Sequence, residues 1–361
     1  MSAEYHIAVS TNLRYLPGAR TAICSVAVNA TPESHLVFHV FTENVPRDTF
    51  DGVMDSLLRL HAKSRVIQHE VDDGVLADLP FWASSRMAAV RCKYAELLPD
   101  VDWCLYLDCD VLYLASPEEH FAKRDDGYAA VATQEQHAPT RKRECAWIRD
   151  NGYPGLDEEK YFNSGVMLLN LKRMRDEGLS AKLVDFFRCH QDVASPDQDA
   201  LNSIFMGKVK IIEPKWNRLQ IFLTNDAIKE LPVIHYVSGI PWLPNFSVVA
   251  NGRYRLWHLF NDLAVHDGET CSEKQLLPWL NRIAKRIEYV LLTGRCWWRL
   301  FGVVLKLIGK GRHYATWRET QIGSDIDAES LRWIADVLRE RLARNKLHPP
   351  WAKAEGDESR S

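Results

Sequence analysis

The segment Leu105-Tyr106-Leu107-Asp108-Cys109-Asp110-Val111-Leu112 sets two aspartates directly behind an apolar run. The run is typical of a buried strand, and because side chains alternate along a strand, Asp108 and Asp110 can point the same way at a sheet edge. Two carboxylates in one place repel each other, and a divalent cation with an anionic substrate is the simplest compensation. The alternative is a pair of acids in a surface turn, where Asp is common.

Similar segments of apolar and β-branched residues recur along the chain and predict strands. They are Tyr5–Ser10, His35–Phe41, Arg65–Val71, Trp103–Leu107, Tyr128–Thr133, Val166–Leu171, Val209–Glu213 and Val233–Val237. Between the first of them, apolar residues three and four apart, such as Phe50, Met54 and Leu57, predict amphipathic helices. This alternation predicts an α/β fold with a mainly parallel sheet, in which ligands bind beyond the carboxyl ends of the strands.

The composition favours a folded protein without affinity for nucleic acid. The chain has 361 residues, of which 46% are hydrophobic and 26% charged, within the usual range for globular proteins. Its formal net charge is -3, so no chain-wide basic field exists to attract DNA or RNA. Eight cysteines stand singly, without a C-x-x-C pair, which predicts reduced thiols in a cytosolic protein. The first residues lack the pattern of a signal peptide, and no uncharged apolar run is long enough to span a membrane.

The strand pattern ends near residue 250, so we predict a catalytic α/β region, residues 1–250, and a helical region, residues 251–361. The second region is locally basic, with eight Lys or Arg and one acid between residues 282 and 312. Its last part predicts an amphipathic helix over Ala328–Arg344.

The segment 289–312 combines adjacent tryptophans with a stripe of basic residues on a helical wheel. The basic residues of this stripe are Arg295, Arg299, Lys306 and Lys310, and Gly302 lies on the same stripe. This pattern is typical of a helix that lies in a membrane interface, where tryptophans sit at headgroup depth and cations meet anionic lipid. The alternative is a helix that packs on the catalytic region with its basic stripe in water.

Three other places carry polar groups next to predicted strands or helices. Asn163 and Ser164 precede the apolar run Val166–Leu169, where they can also serve a turn. Asp197-Gln198-Asp199 follows Ser195-Pro196 at the start of a helical pattern, and an acid there can equally be a helix cap. His235 closes a strand and can complete a metal site with the two aspartates, or be structural.

Taken in chain order and together with Ile7 to Tyr15 and Arg91, these motifs resemble the family 8 retaining glycosyltransferases of the GT-A fold. That family includes bacterial lipopolysaccharide and lipooligosaccharide galactosyl- and glucosyltransferases and glycogenin. The resemblance covers about residues 5–243. It rests on Ile7 to Tyr15, Arg91, Leu105–Leu112, Phe162-Asn163-Ser164-Gly165-Val166 and Asp197-Gln198-Asp199 with Leu201-Asn202, followed by His235-Tyr236.

The resemblance implies a UDP-sugar donor and a divalent cation, Mn²⁺ or Mg²⁺, held by Asp108, Asp110 and His235. A metal that bridges a diphosphate stabilises the charge that develops on the leaving group. The residues implied for the nucleotide are Ser10, Thr11, Asn12, Tyr15, Asp108 and Cys109. Those implied for the donor sugar are Arg91, Asn163, Ser164, Asp197 and Gln198, with Asp197 and Gln198 as the catalytic candidates. The alternative for Arg91 is an arginine on a helix surface.

The sequence departs from the family at two places. The family's closing motif is usually His-x-x-Gly-x-x-Lys-Pro-Trp, whereas this chain has one residue fewer and Ile240 where the lysine stands. Lys215 or Arg218 can substitute for that cation, donor affinity can be lower, or the chain binds without turnover. In the uridine turn, Asn12 and Arg14 replace a common aspartate and a common asparagine.

These features predict a retaining transferase that moves galactose or glucose from a UDP-sugar to a saccharide acceptor, in lipopolysaccharide or a related surface glycan. We expect it in the cytoplasm, peripherally attached to the inner face of the cell membrane. Retention through front-face attack is favoured over a covalent intermediate, because an amide such as that of Gln198 is a poor nucleophile. The alternatives are a transferase that acts on a soluble or protein acceptor, and a non-catalytic protein that binds a UDP-sugar or serves as a scaffold.

Overall fold

The computed structural model describes residues 4–81, 85–153, 155–190, 193, 195–237, 240–242, 252–265 and 326–344. The strands among these residues are β1 Glu4–Asn12, β2 His35–Glu43, β3 Ser64–Glu70, β4 Trp103–Leu107, β5 Val111–Tyr113, β6 Ala130–Gln134, β7 Phe162–Asn170, β8 Val209–Ile212, β9 Arg218–Leu219 and β10 Val233–His235.

Helices connect most of these strands. The α-helices are α1 Leu16–Asn29, α2 Arg47–Leu60, α3 Asp73–Leu76, α4 Tyr94–Leu97, α5 Pro117–Phe121, α6 Ala138–Asp150, α7 Leu171–Asp176, α8 Leu179–Cys189, α9 Pro196–Ile204, α10 Asn225–Ile228, α11 Gly252–Val265 and α12 Ala328–Arg344. Short 3₁₀ helices cover Met87–Lys93, Glu158–Lys160, Pro214–Asn217 and Gln220–Phe222.

A seven-stranded sheet of order β3-β2-β1-β4-β7-β6-β8 forms the framework, and a small sheet of order β5-β10-β9 accompanies it. The pairs β1–β2, β2–β3, β1–β4 and β6–β8 are parallel. Strand order reverses at β1, so the carboxyl ends of β1 and β4 border the crevice where such sheets bind ligands. The predicted α/β fold with a mainly parallel sheet is confirmed.

Strand β7 is antiparallel to both of its neighbours, β4 and β6. Its first residues therefore lie at the edge where β1 and β4 end. Its register with β6 shifts between Ala132, which pairs with Met167, and Thr133, which pairs with Asn163. The bulge leaves Ser164, Gly165 and Val166 without a partner on β6, and bulges of this kind redirect side chains next to functional sites.

The predicted strands agree with the structure to within a few residues, with one functional difference. The apolar pattern predicts a strand from Val166, but β7 begins at Phe162. Asn163 and Ser164 thus lie inside a buried strand, and the turn role considered for them is wrong. The two short strands β5 and β9 were not predicted, because two or three residues carry no readable periodicity.

The chain divides into two compact units, Met1–Leu219 with Glu230–His235, and Gln220–Lys229 with Tyr236–Ser361. In the second unit, α12 has the predicted bounds and buries Ile334, Leu338 and Leu342. The predicted boundary at residue 250 and the basic segment 289–312 lie outside the described residues. Within the described part of the chain, no helix combines the length and apolar character needed to cross a bilayer. Six of the cysteines are described, and all six are free thiols.

Candidate active site

Asp108 and Asp110 lie in the tight turn between β4 and β5, where Val111 N donates to Asp108 O at 3.3 Å. Strand β10 pairs with β5 so that His235 stands opposite Val111. This brings His235 Nε2 to 3.3 Å from Asp110 Oδ1 and 3.6 Å from Asp108 Oδ2. The predicted grouping of the three residues is found, but strand alternation is the wrong reason for it, because the turn makes the two carboxylates converge.

The electrostatics of this group favour a further positive charge. Burial lowers the pKa of His235, but the attraction of Asp110 and Asp108 outweighs it, so the pKa is raised. Burial also raises the pKa of Asp108; Arg91 opposes this shift, and Asp110 adds to it. Two partly desolvated carboxylates repel each other, so their ionised forms need a cation nearby.

The residues fit a divalent cation. One ligand atom each from Asp108, Asp110 and His235 lie within 4.8 Å of one another. Two buried atoms of this group, Asp110 Oδ1 and His235 Nδ1, have no hydrogen-bond partner among the described residues. Carboxylate oxygens with an imidazole suit Mn²⁺, and carboxylates suit Mg²⁺.

Gly165 keeps the space beside this group open. A Cβ atom at this position would lie 2.1 Å from His235 Cε1 and 2.9 Å from Asp108 Oδ2. Its carbonyl accepts from Asp108 N at 2.8 Å, which ties β7 to the turn after β4. Gly165 has no separate role among the sequence-based predictions, although a glycine within an apolar strand often marks a place where another group approaches the backbone closely.

Tyr106 and Arg91 hold one oxygen of Asp108. The Tyr106 hydroxyl donates to Asp108 Oδ1, and Arg91 Nη1 lies 3.3 Å from the same atom. The Arg91 guanidinium carbon stands 4.3 Å from the centroid of the Tyr106 ring. The other oxygen of this carboxylate, Asp108 Oδ2, faces His235. Sequence reasoning missed Tyr106 because a tyrosine within a strand reads as core.

Arg91 is buried on the 3₁₀ helix Met87–Lys93, with 2% of its surface exposed, so the alternative of a surface arginine is wrong. Its Nε donates to Ala88 O at 2.7 Å, Nη1 donates to Ser164 O, and Nη2 donates to Asp197 Oδ2. Burial disfavours the charge, but Asp108, Tyr106 and Asp197 together raise the pKa of Arg91. Arg91 thus joins the turn after β4, strand β7 and helix α9.

Asn163 lies in a buried polar cluster at the start of β7. Its Nδ2 donates to Glu135 Oε2 at 2.7 Å, and its Oδ1 accepts from Asn217 Nδ2 at 2.8 Å and from Gly165 N at 3.0 Å. Glu135 and Asn217 were missed because they are single polar residues far apart in sequence. Their burial is the signal, and only the fold shows it.

On helix α9, Asp197 forms a buried ion pair with Arg91 and makes no helix cap, so the capping alternative is wrong for it. Gln198 faces β7, where its Oε1 accepts from Ser164 N at 3.0 Å. Asp199 points elsewhere, towards Tyr161 and the backbone of Ser195.

The residues implied for the nucleotide lie where β1 ends. Asn12 Oδ1 accepts from the backbone nitrogens of Arg14 and Tyr15 at 3.1 and 3.3 Å, which shapes the turn into α1. Ser10 Oγ and Tyr94 OH are 2.6 Å apart, and Cys109 Sγ donates to Ser10 O at 3.2 Å. Thr11, also buried, donates its hydroxyl hydrogen to Asn12 O.

Tyr15 links this turn electrostatically to the carboxylate group. Burial raises the pKa of Tyr15, Arg14 opposes this shift, and the negative charge of Asp110 adds to it. The ends of β1 and β4 lie side by side because the two strands pair in parallel. Lys215 and Arg218, the suggested replacements for the missing lysine, are engaged elsewhere: Lys215 Nζ stands 4.9 Å from the centre of the Trp216 ring, and Arg218 Nη2 lies 3.8 Å from Glu230 Oε2.

Known proteins are similar to this chain in sequence and in fold. The lipopolysaccharide 1,3-galactosyltransferase of Salmonella typhimurium is 28% identical over 66% of this chain and 73% of its own length. The lipopolysaccharide glucosyltransferase WaaO of Escherichia coli is 26% identical over 65% of this chain and 72% of its own. General stress protein A of Bacillus subtilis is 22% identical over 61% of this chain and 81% of its own.

Among solved structures, the galactosyltransferase LgtC in complex with donor and acceptor sugar analogs has a TM-score of 0.57. The match covers 73% of this chain and 95% of LgtC at 24% identity, and it supports the GT-A fold. The family profile named Glycosyl transferase family 8 matches residues 6–245. This chain is therefore a member of glycosyltransferase family 8.

Proposed function

We propose that this glycosyltransferase moves a hexose, galactose or glucose, from a UDP-sugar to a saccharide acceptor with retention of configuration. The observation that carries the proposal is the Asp108–Asp110–His235 group, which is partly buried and in which the atoms Asp110 Oδ1 and His235 Nδ1 have no hydrogen-bond partner in the described structure. A donor with a diphosphate and a divalent cation is the ligand whose charges match such a group. The lipopolysaccharide galactosyl- and glucosyltransferases among its relatives support the choice of hexose.

The residues divide the work by position. Asp108, Asp110 and His235 would hold Mn²⁺ or Mg²⁺, which supplies Lewis-acid stabilisation of the leaving diphosphate when bound. Ser10, Thr11, Asn12 and Tyr15, with Asp108 and Cys109, would bind the nucleotide at the ends of β1 and β4. Arg91, fully engaged by protein atoms, holds Asp197 and Ser164 in place for the donor hexose, and Asn163 and Gln198 complete that subsite.

Front-face attack fits the geometry of Gln198 better than a covalent intermediate. Its amide oxygen already accepts from Ser164 N, and an amide is intrinsically a poor nucleophile. Gln198→Ala is therefore expected to lower kcat without accumulation of a glycosyl-enzyme, as followed by mass spectrometry of the intact protein. A stable adduct would contradict this mechanism.

The acceptor is proposed to be lipopolysaccharide or a related surface glycan at the inner face of the cell membrane. The sequence of residues 289–312, with its tryptophans and basic stripe, supports peripheral attachment to anionic lipid. Deletion of residues 289–361 is expected to abolish binding to liposomes that contain anionic lipid. Unchanged liposome binding would contradict the proposed attachment and leave the catalytic proposal intact.

The deciding experiment measures UDP release from a panel of UDP-sugars with and without Mn²⁺. Wild type is compared with an Asp108→Asn/Asp110→Asn variant and with Asp48→Asn, an exposed aspartate on α2. We expect metal-dependent release from one donor, lost in the double variant and kept in Asp48→Asn. UDP binding without release from any donor, also when saccharide acceptors are supplied, would favour the non-catalytic alternative.

A further inference from the structure

Four hydrogen bonds form a continuous line through the residues around Gln198. Ser164 N donates to Gln198 Oε1 at 3.0 Å, and Gln198 Nε2 donates to the Tyr161 hydroxyl oxygen at 3.2 Å. The Tyr161 hydroxyl donates to Asp199 Oδ1 at 2.7 Å, and Ser195 N donates to Asp199 Oδ2 at 3.1 Å. Tyr161 and Asp199 are buried, and neither has a place in the proposed donor site.

The directions of these bonds are determined by the two ends of the line. Both ends are backbone N–H groups, which can only donate. Gln198 and Tyr161 each accept on one side and donate on the other, so the line needs one member that accepts from both sides. An ionised carboxylate does so, whereas a protonated carboxyl adds a hydrogen, which either reverses the bond to Tyr161 or competes with Ser195 N. Every hydrogen of the line has an acceptor within the line only when Asp199 is ionised.

Resting on the proposed function, we propose that Asp199 and Tyr161 are positioning residues for transfer. Ionised Asp199 orients the Tyr161 hydroxyl, which then accepts from the amide nitrogen of Gln198. The amide oxygen of Gln198 is thereby directed towards Ser164 N. Protonation of Asp199 reverses the bond to Tyr161 or disturbs the bond from Ser195 N, and so weakens the orientation of the amide. Tyr161 and Asp199 act through Gln198 and do not themselves contact the sugar.

The surroundings of Asp199 place this switch near neutral pH. The titratable groups that face it are Tyr161, Glu144 and Cys145 on α6, and Asp197 on its own helix. Burial raises the pKa of Asp199 to about 7; the Tyr161 hydrogen bond opposes the shift, and Glu144 adds to it. We therefore expect kcat to rise as the pH increases through about 7.

Three variants test the line through the pH profile of kcat. In Asp199→Asn, the asparagine offers one donor and one acceptor, like the protonated acid. The kcat of this variant should therefore stay at the low-pH level of wild type at every pH, at least tenfold below the wild-type plateau. Tyr161→Phe removes the link and should show the same loss with no transition near pH 7. Glu144→Gln removes a neighbouring negative charge and should keep the plateau while the transition moves to lower pH.

The profile overturns the proposal if the transition survives unchanged in Asp199→Asn and Tyr161→Phe, or if Glu144→Gln leaves its midpoint in place. Failure of the proposed function is distinguishable, because wild type would then release no UDP from any donor at any pH.

A second readout needs no activity. Between its ordinary pKa of 3.8 and about 7, folded Asp199 keeps a proton that the unfolded chain has lost. Wild-type stability therefore falls with rising pH across this window relative to Asp199→Asn. The urea midpoint of wild type minus that of Asp199→Asn should fall as the pH rises from 4 to 7, and a constant difference would contradict the assigned titration.

Discussion

Two of the Asp-x-Asp pairs of this chain, Asp108 with Asp110 and Asp197 with Asp199, have opposite fates in the fold. Asp108 and Asp110 converge on His235, with buried ligand atoms left unpartnered among the described residues. Asp197 and Asp199 diverge: Asp197 binds Arg91, and Asp199 accepts from Tyr161 and from the backbone of Ser195. The first pair meets in a group that fits a divalent cation, and each member of the second pair is bound by protein donors.

The difference arises from the backbone on which each pair stands. Asp108 and Asp110 occupy a tight turn that bends both side chains towards β10. Asp197 and Asp199 lie in the first turns of α9, where residues two apart point about 200° away from each other. The same three-residue pattern therefore brings two carboxylates together in a turn and directs them to separate partners on a helix.

The largest expected effect comes from closing the space next to the first pair. In Gly165→Ala, the new Cβ would lie 2.1 Å from His235 Cε1, so the imidazole must move away from the two carboxylates. We expect Mn²⁺ binding to fall below detection in isothermal titration calorimetry in the presence of UDP.

The matched control is Gly52→Ala in α2, where no atom lies within 4 Å of an added Cβ. It should leave metal binding unchanged and raise the free energy of unfolding by up to about 1 kcal/mol, because alanine is the better helix former. Wild-type Mn²⁺ affinity in Gly165→Ala would show that the first pair does not bind metal through His235.

A smaller effect is expected from removing the residue that both pairs share. Arg91→Met leaves Asp197 buried without its cation and frees Asp108 from one partner, which should cost about 3–5 kcal/mol in urea unfolding. Arg91→Met/Asp197→Leu should cost less than the sum of the two single changes, because no unpaired charge then stays buried. Arg188→Met, in an exposed pair with Asp78, serves as the control with a much smaller change. Additive single costs would refute the coupling of Arg91 to the second pair.

The smallest effect tests whether Asp199 takes over the role of a helix cap. Ser195 begins α9 without a side-chain cap bond, while its backbone nitrogen is bound by Asp199. Ser195→Ala should therefore change the free energy of unfolding by less than about 0.5 kcal/mol. Ser116→Ala, at the start of α5, should cost about 1 kcal/mol, because Ser116 Oγ accepts from Glu119 N at 3.2 Å. Equal losses in the two variants would mean that Ser195 caps α9 after all.

Much of this architecture was predictable, since strand periodicity and the alternation with helices are local properties of the chain. Trp103–Leu107 and Ala328–Arg344 have the predicted bounds, and Asp108, Asp110 and His235 were named together from motif order. Glu135 and Asn217 were not found, because each acquires its partner from a strand distant in sequence, and Tyr106 was not found because a tyrosine within a strand reads as core. Their identities are ordinary, and only burial beside a charged group makes them part of the site.

The sequence by itself determined the α/β class, the order of the motifs and the chemical types of the groups that converge. Only the tertiary structure decided which of the Asp-x-Asp patterns converges on a histidine. It also decided that β7 runs antiparallel and presents Ser164 and Gly165 from its beginning, at the edge where β1 and β4 end. The physical reason is that side-chain direction depends on turn geometry, helix phase and strand direction, and each of these is fixed by packing between segments far apart in the chain.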